Sequence, residues 1–155
     1  MSYSLRIGQA VLVEYRGTYL VDVEEAVVKG SPSFVHDSPD ESNGRGSATL
    51  AWSEFSRKAG LDSFFYEPGF GLIRDGETVR ISGSHLDQIR EAVLRWKAEN
   101  PAGIPGFCGC STCDPISRNP HPHLKEMDTT LARLLWLEFW FEWALKNCLK
   151  PAFRS

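Results

Sequence analysis

Several things are missing from this chain, and each absence removes a class of function. No stretch reaches the roughly 20 consecutive apolar residues that span a bilayer, because Glu138 and Glu142 interrupt the longest candidate. Membrane insertion is not expected. The opening residues Met1-Ser2-Tyr3-Ser4-Leu5-Arg6 lack the charged-then-apolar pattern of a secretory signal, so a cytoplasmic location is predicted. There is no run of Lys and Arg. The net charge is −3, and residues 1–50 carry seven acids against four bases while the remainder carries thirteen of each. Nucleic acid, which is gripped by clustered cations, is therefore not expected as a partner. Gly69-Phe70-Gly71 lacks the helix start and the lysine of a phosphate loop, so no nucleotide cofactor is predicted. No internal repeat is present.

Cysteine is also scarce, with four in 155 residues, and three of them crowd into Cys108-Gly109-Cys110-Ser111-Thr112-Cys113. In a reducing compartment such crowding points to metal binding or free thiols rather than to a disulfide framework.

What remains is an ordinary globular composition, 42% hydrophobic and 24% charged, long enough for one packed core. The expected fold is a single α+β domain over 1–155. Its sheet, mostly antiparallel with about four to five strands, is packed by an amphipathic helix at 84–98 and a long apolar C-terminal helix at 124–149. Gln9–Tyr15 and Thr18–Glu24 read as two strands about a tight turn at Arg16-Gly17. Residues 30–47 read as a flexible acidic loop. Ser53 is placed to cap a short helix that runs through Lys58 and ends at Gly60. Phe64–Glu67, Gly71–Arg74 and Glu77–Ser82 read as strands, with Asp75-Gly76 as a hairpin turn between the last two. Ser84 begins the amphipathic helix, with Asp87 in the capping-box position, and Asn100-Pro101 stops it.

Residues 100–123 form a Cys- and His-rich loop without periodicity. Cys108, Cys110, Cys113, His121 and His123 are candidate ligands for zinc, which favours four thiolates or imidazoles in a tetrahedron; Cys110-x-x-Cys113 lets one turn present two sulfurs. The loop lacks a second Cys-x-x-Cys pair, and Pro120 and Pro122 flank His121, so a surface loop with incidental thiols is the competing reading.

On a helical wheel the C-terminal segment separates into two apolar sides. Met127, Leu131, Leu134, Leu145 and Leu149 form a core stripe, and Trp136, Trp140 and Trp143 gather nearly opposite, beside Arg133. Such a helix is either sandwiched in a core or offers one side to a partner. Exposed Trp and Arg would mark a partner surface or a homodimer contact, with Arg133 stacked on Trp136 or Trp140. Glu138 and Glu142, one turn apart, read as a solvated strip supported by Lys146, or as paired carboxylates. Ser82, Ser84, His85 and Asp87 read as a helix cap, and His36-Asp37 as a weak acid-base candidate.

The acids Asp37, Asp40 and Glu41, with Glu14, Asp22, Glu24 and Glu25, give the N-terminal part an acidic side suited to a basic partner. The functional expectation is a small non-enzymatic binding protein, such as a bacterial immunity protein or inhibitor that occludes a basic toxin or enzyme. The alternatives are a zinc-stabilised recognition domain and a metal- or thiol-dependent hydrolase.

Overall fold

The computed structural model describes residues 5–29, 31–32, 44–46, 52–103 and 128–155. In chain order the elements are β1 (Leu5–Tyr15), β2 (Thr18–Glu24), β3 (Arg45–Gly46), α1 (Trp52–Ala59), α2 (Asp62–Tyr66), β4 (Thr78–Arg80), α3 (Gly83–Glu99), α4 (Thr129–Asn147) and β5 (Pro151–Arg154). This is the expected α+β architecture. The sheet is antiparallel and curled, in the order β2-β1-β5-β4, with the two residues of β3 pairing at the start of β1.

β1 and β2 form a hairpin from Tyr15↔Thr18 to Gln9↔Glu24. Arg16 and Gly17 both adopt positive φ, 49° and 78°, as a two-residue turn matched to the twist of its strands requires. The Asp75-Gly76 turn behaves differently. Only Gly76 has positive φ there, and no hairpin forms about it. Gly71–Arg74 is not a strand: Leu72 and Ile73 donate their N–H groups to Phe64 O and Phe65 O, at 3.1 and 2.9 Å.

Phe64–Glu67 is not a strand either, because its first three residues belong to α2. Phe64 and Phe65 are both buried. Successive strand residues point to opposite faces, whereas a helical turn brings two neighbouring rings to the same core. Phe65 then meets Trp52 and Phe55 of α1, both at 6.4 Å, and Phe153 of β5 at 6.2 Å between ring centroids.

α3 starts where expected, within a residue, but by a different cap. Ser82, not Ser84, is the N-cap, and His85 takes the role assigned to Asp87: its Nδ1 accepts from Ser82 N at 2.9 Å. α4 is capped by Asp128, whose carboxylate accepts from Leu131 N at 2.9 Å and from Trp96 Nε1 at 2.6 Å. One residue thus ties α4 to α3. The helix stops at Asn147, two residues short of the expected 149, because Cys148 is extended and the residue before Pro151 disfavours helix.

The strand that follows was not expected. β5 lies between β1 and β4, pairing Ile7↔Phe153 on one side and Val79↔Phe153 on the other. Pro151 is tolerated as its first residue, where no ladder N–H is needed. Phe153 is fully buried against Phe65 and Phe141, at 6.2 and 6.3 Å, which joins the sheet to α2 and α4. The helices cover the face of the sheet that carries Leu5, Ile7 and Phe153.

Phe153→Ala removes the ring that all these layers share. It is expected to cost about 3–5 kcal/mol, read as a lower denaturant midpoint at unchanged slope. Gly8→Ala is also expected to destabilise, because a methyl there would overlap the carbonyl oxygen of Glu24. A normal midpoint for that variant would show that β1 can move away from Glu24.

Candidate functional site

The tryptophan side of α4 is packed inside the chain. Trp136 and Trp140 are 2% and 0% exposed. Trp136 lies 6.2 Å from Trp52, and Trp140 contacts Phe139 and Trp143 at 5.2 and 5.4 Å. Trp143 is partly buried against the same core. The expectation of a partner or dimer surface is therefore corrected for Trp136 and Trp140, which their own chain covers.

Arg133 is corrected with them. Its guanidinium stacks on Trp52 and Phe55, 5.5 Å from each ring centroid, rather than on Trp136 or Trp140. Burial pushes its pKa down, against the opposing charge of Glu54. Two aromatic faces supply part of the solvation that the cation gives up.

Glu142 is held below the usual carboxylate range by its hydrogen bond to Lys146. Lys146 approaches at 2.6 Å and Arg90 at 3.4 Å, so Glu142 belongs to a surface ion-pair strip. Burial lowers the pKa of His85, and its Nδ1 is already committed to the cap. Burial raises the Cys148 thiol.

Asp37, Asp40, Glu41, Cys108, Cys110, Cys113, His121 and His123 lie outside the described residues, as does His36. Among the described residues no group of three or more His, Cys, Asp or Glu side chains is placed to hold a metal ion, and no helix is long and apolar enough to cross a membrane.

Exposed apolar side chains such as Val27, Phe70, Leu94 and Leu149 are scattered over the described surface, but five lie together at the far end of the β1–β2 hairpin. Pairing of β1 with β5 ends at Gln9, and the last bond between them runs from Ala10 N to Lys150 O at 2.9 Å. Beyond that point β1 pairs only with β2 among the described residues, while β2 is still bonded at Val21 and Asp22 to Thr78 and Arg154. Leu12, Tyr15 and Tyr19 are 69%, 60% and 65% exposed, and Val13 and Val21 are exposed too. Cross-strand register puts Leu12 with Val21 and Val13 with Leu20. Strand alternation then places Leu12, Tyr19 and Val21 on one face and Val13, Tyr15 and Leu20 on the other. Both faces of the arm are apolar.

The signal for this was present in Val11-Leu12-Val13-Glu14-Tyr15. A strand with one wet face alternates apolar and polar residues, and a continuous apolar run implies that both faces are meant to be covered.

The arm is anchored at its base by ions. Asp22 Oδ1 accepts from Arg6 Nη2 at 2.6 Å and Val23 N at 2.8 Å, and lies 3.5 Å from Arg154 Nε. Val21 O accepts from Thr78 Oγ1 at 2.6 Å and from Arg154 Nη1 at 3.1 Å. Arg6 and Arg154 stand directly opposite each other on β1 and β5, an arrangement that repels, and the carboxylate between them offsets it. Partial burial works to raise the Asp22 pKa, but the bonds from Val23 and Arg6 and the charges of Arg6 and Arg154 outweigh it, leaving the group below its ordinary 3.8. Because the folded-state value is depressed, the stabilisation is complete above the unfolded value and is lost as pH falls through the folded one.

No protein-family model, curated protein or solved structure matches this chain.

Asp22→Asn is expected to cost about 1–3 kcal/mol at neutral pH, as hydrogen bonds to charged groups are weakened. The difference from the wild type should shrink as pH falls below about 4, the unfolded value, and on through the depressed folded one. Denaturant titrations at both pH values check this; a pH-independent difference would remove the electrostatic role assigned to Asp22.

Proposed function

We propose that this chain is a small non-enzymatic binding protein that occludes a partner, in the manner of an immunity protein or inhibitor. The observation that carries the reading is the β1–β2 arm, apolar on both faces, extended beyond the sheet and tied at its base by Asp22. Contiguous exposed apolar surface marks interaction sites, and two tyrosines supply large contact area at low entropic cost. The ionic base pre-organises the arm, so little order has to be gained on binding.

Glu14, Glu24 and Glu25 belong to the same hairpin and its exit. They favour a partner with basic residues around an apolar patch, since complementary charge speeds encounter and fixes register. Asp22 does not contribute to this attraction, because Arg6 and Arg154 neutralise it.

A photo-crosslinking residue at Tyr19 is expected to trap one protein in cells of the source organism, whereas the same residue at Leu94 on α3, 70% exposed, should not. Leu12→Asp with Tyr19→Asp is expected to weaken binding of the trapped protein by roughly thirtyfold or more, the loss of about 2 kcal/mol typical of a central contact. Equal trapping from both positions, or unchanged affinity in a folded double variant, would show that the arm is not the docking element.

A further inference from the structure

The two edges of the hairpin differ. The outer edge of β2 is blunted at Val21, whose carbonyl is taken by Thr78 and Arg154. The edge of β1 left by β5 has no strand beside it among the described residues. Ala10 directs its N–H to Lys150 and Ile7 directs its N–H to Gly44 on the opposite side. Strand alternation then turns the N–H and C=O of Leu12 and Glu14 toward the vacated edge. Among the described residues no strand pairs with Val11–Tyr15 there.

We infer that this edge pairs antiparallel with the same edge of a second copy of the chain, about a two-fold axis through Val13. The window is five residues long, closed at one end by Lys150 and at the other by the Arg16-Gly17 turn. A strand running antiparallel to β1 must therefore end or turn as it passes Val11. A second copy does so. With Val13 opposite Val13, Tyr15 lies opposite Val11 and the partner's turn falls where Lys150 begins.

In this register Leu12 faces Glu14 of the other copy, and each pair exchanges two backbone hydrogen bonds, four in all by the antiparallel pattern. Val13, Val11 and Tyr15 extend one apolar face across the axis, and Leu12 joins Tyr19 and Val21 on the other. The neighbouring registers are excluded. Shifting outward opposes Glu14 to Glu14, which repels; shifting inward drives the incoming strand into Lys150. The result is a continuous four-stranded ribbon, β2-β1-β1-β2.

The pairing runs along the five-residue window of each copy, where a stable interface of standard size uses roughly 20–30 residues and buries about 800 Å² on each partner. Association is accordingly weak and concentration-dependent. It stands on the geometry of the edge, not on the reading given above. A chain that stays monomeric while Tyr19 still traps a partner overturns self-pairing alone.

Sedimentation of the full chain from about 5 to 500 μM, a range that brackets micromolar affinity, is expected to show the average mass rising toward twice the monomer. Val13→Lys and Val13→Glu each place like charges across the axis and should be monomeric over the whole range. An equimolar mixture of the two should associate again, because only a two-fold register sets position 13 against itself. Circular dichroism of each variant shows that the fold is retained. Glu14→Pro, which deletes an outward N–H that the hairpin itself does not use, should lower association at least tenfold. A wild-type chain monomeric throughout, a Val13→Lys variant that dimerises normally, or a mixture that does not associate would each overturn the inference.

Discussion

The pairing of β5 with both of its neighbours is the constraint on which the rest of the molecule depends. Four residues, Pro151–Arg154, lie between β1 and β4. Without them the β1–β2 hairpin keeps only the two residues of β3 as a further neighbour, and β4 is a three-residue strand that pairs with nothing else among the described elements. Phe153 points from this strand into the aromatic cluster of Phe65 and Phe141, and Arg154 reaches from its other face to Asp22 and Val21. Two adjacent residues therefore set both layers: one holds the helices to the sheet and the other holds the arm.

That division explains why an apolar arm can stay ordered outside the core. A two-stranded ribbon alone is marginal in water. Here its base is held by a carboxylate shared between two arginines and by a carbonyl that accepts from Thr78 and Arg154. The free end carries the exposed tyrosines and an edge that is unpaired among the described residues. Partner docking on the faces and self-pairing along the edge use different groups of the same element, side chains in one case and backbone N–H and C=O in the other.

The fold class was legible in the sequence because its strongest signals are periodic. The amphipathic helix expected at 84–98 and the β1–β2 pair match the structure nearly residue for residue. α2 was misread because consecutive aromatics suit a strand by propensity, while burial of both Phe64 and Phe65 demands a helical turn. β5 was missed because Pro-Ala-Phe-Arg is too short for alternation to show. The site was legible only in part. A helical wheel shows that α4 has two apolar sides but not what covers them, and it is α1, through Trp52, that covers Trp136. Arg133 beside tryptophans suggested a surface hot spot, yet it stacks on rings from α1, a contact remote in sequence. The uninterrupted apolar run Val11-Leu12-Val13 in β1 is the readable sign of the arm.

The central place of β5 also orders events in time. Ile7 and Phe153 are partners separated by almost the whole chain, so the sheet closes only after residues 151–154 have left the ribosome. Closing so long a loop is the slow kind of step in folding. The hairpin, by contrast, is a local contact that forms within microseconds. Until β5 docks, the hairpin lacks the bonds from Arg154 that hold its base, and its apolar side chains and strand edges are the type of exposed surface that aggregates or recruits a chaperone.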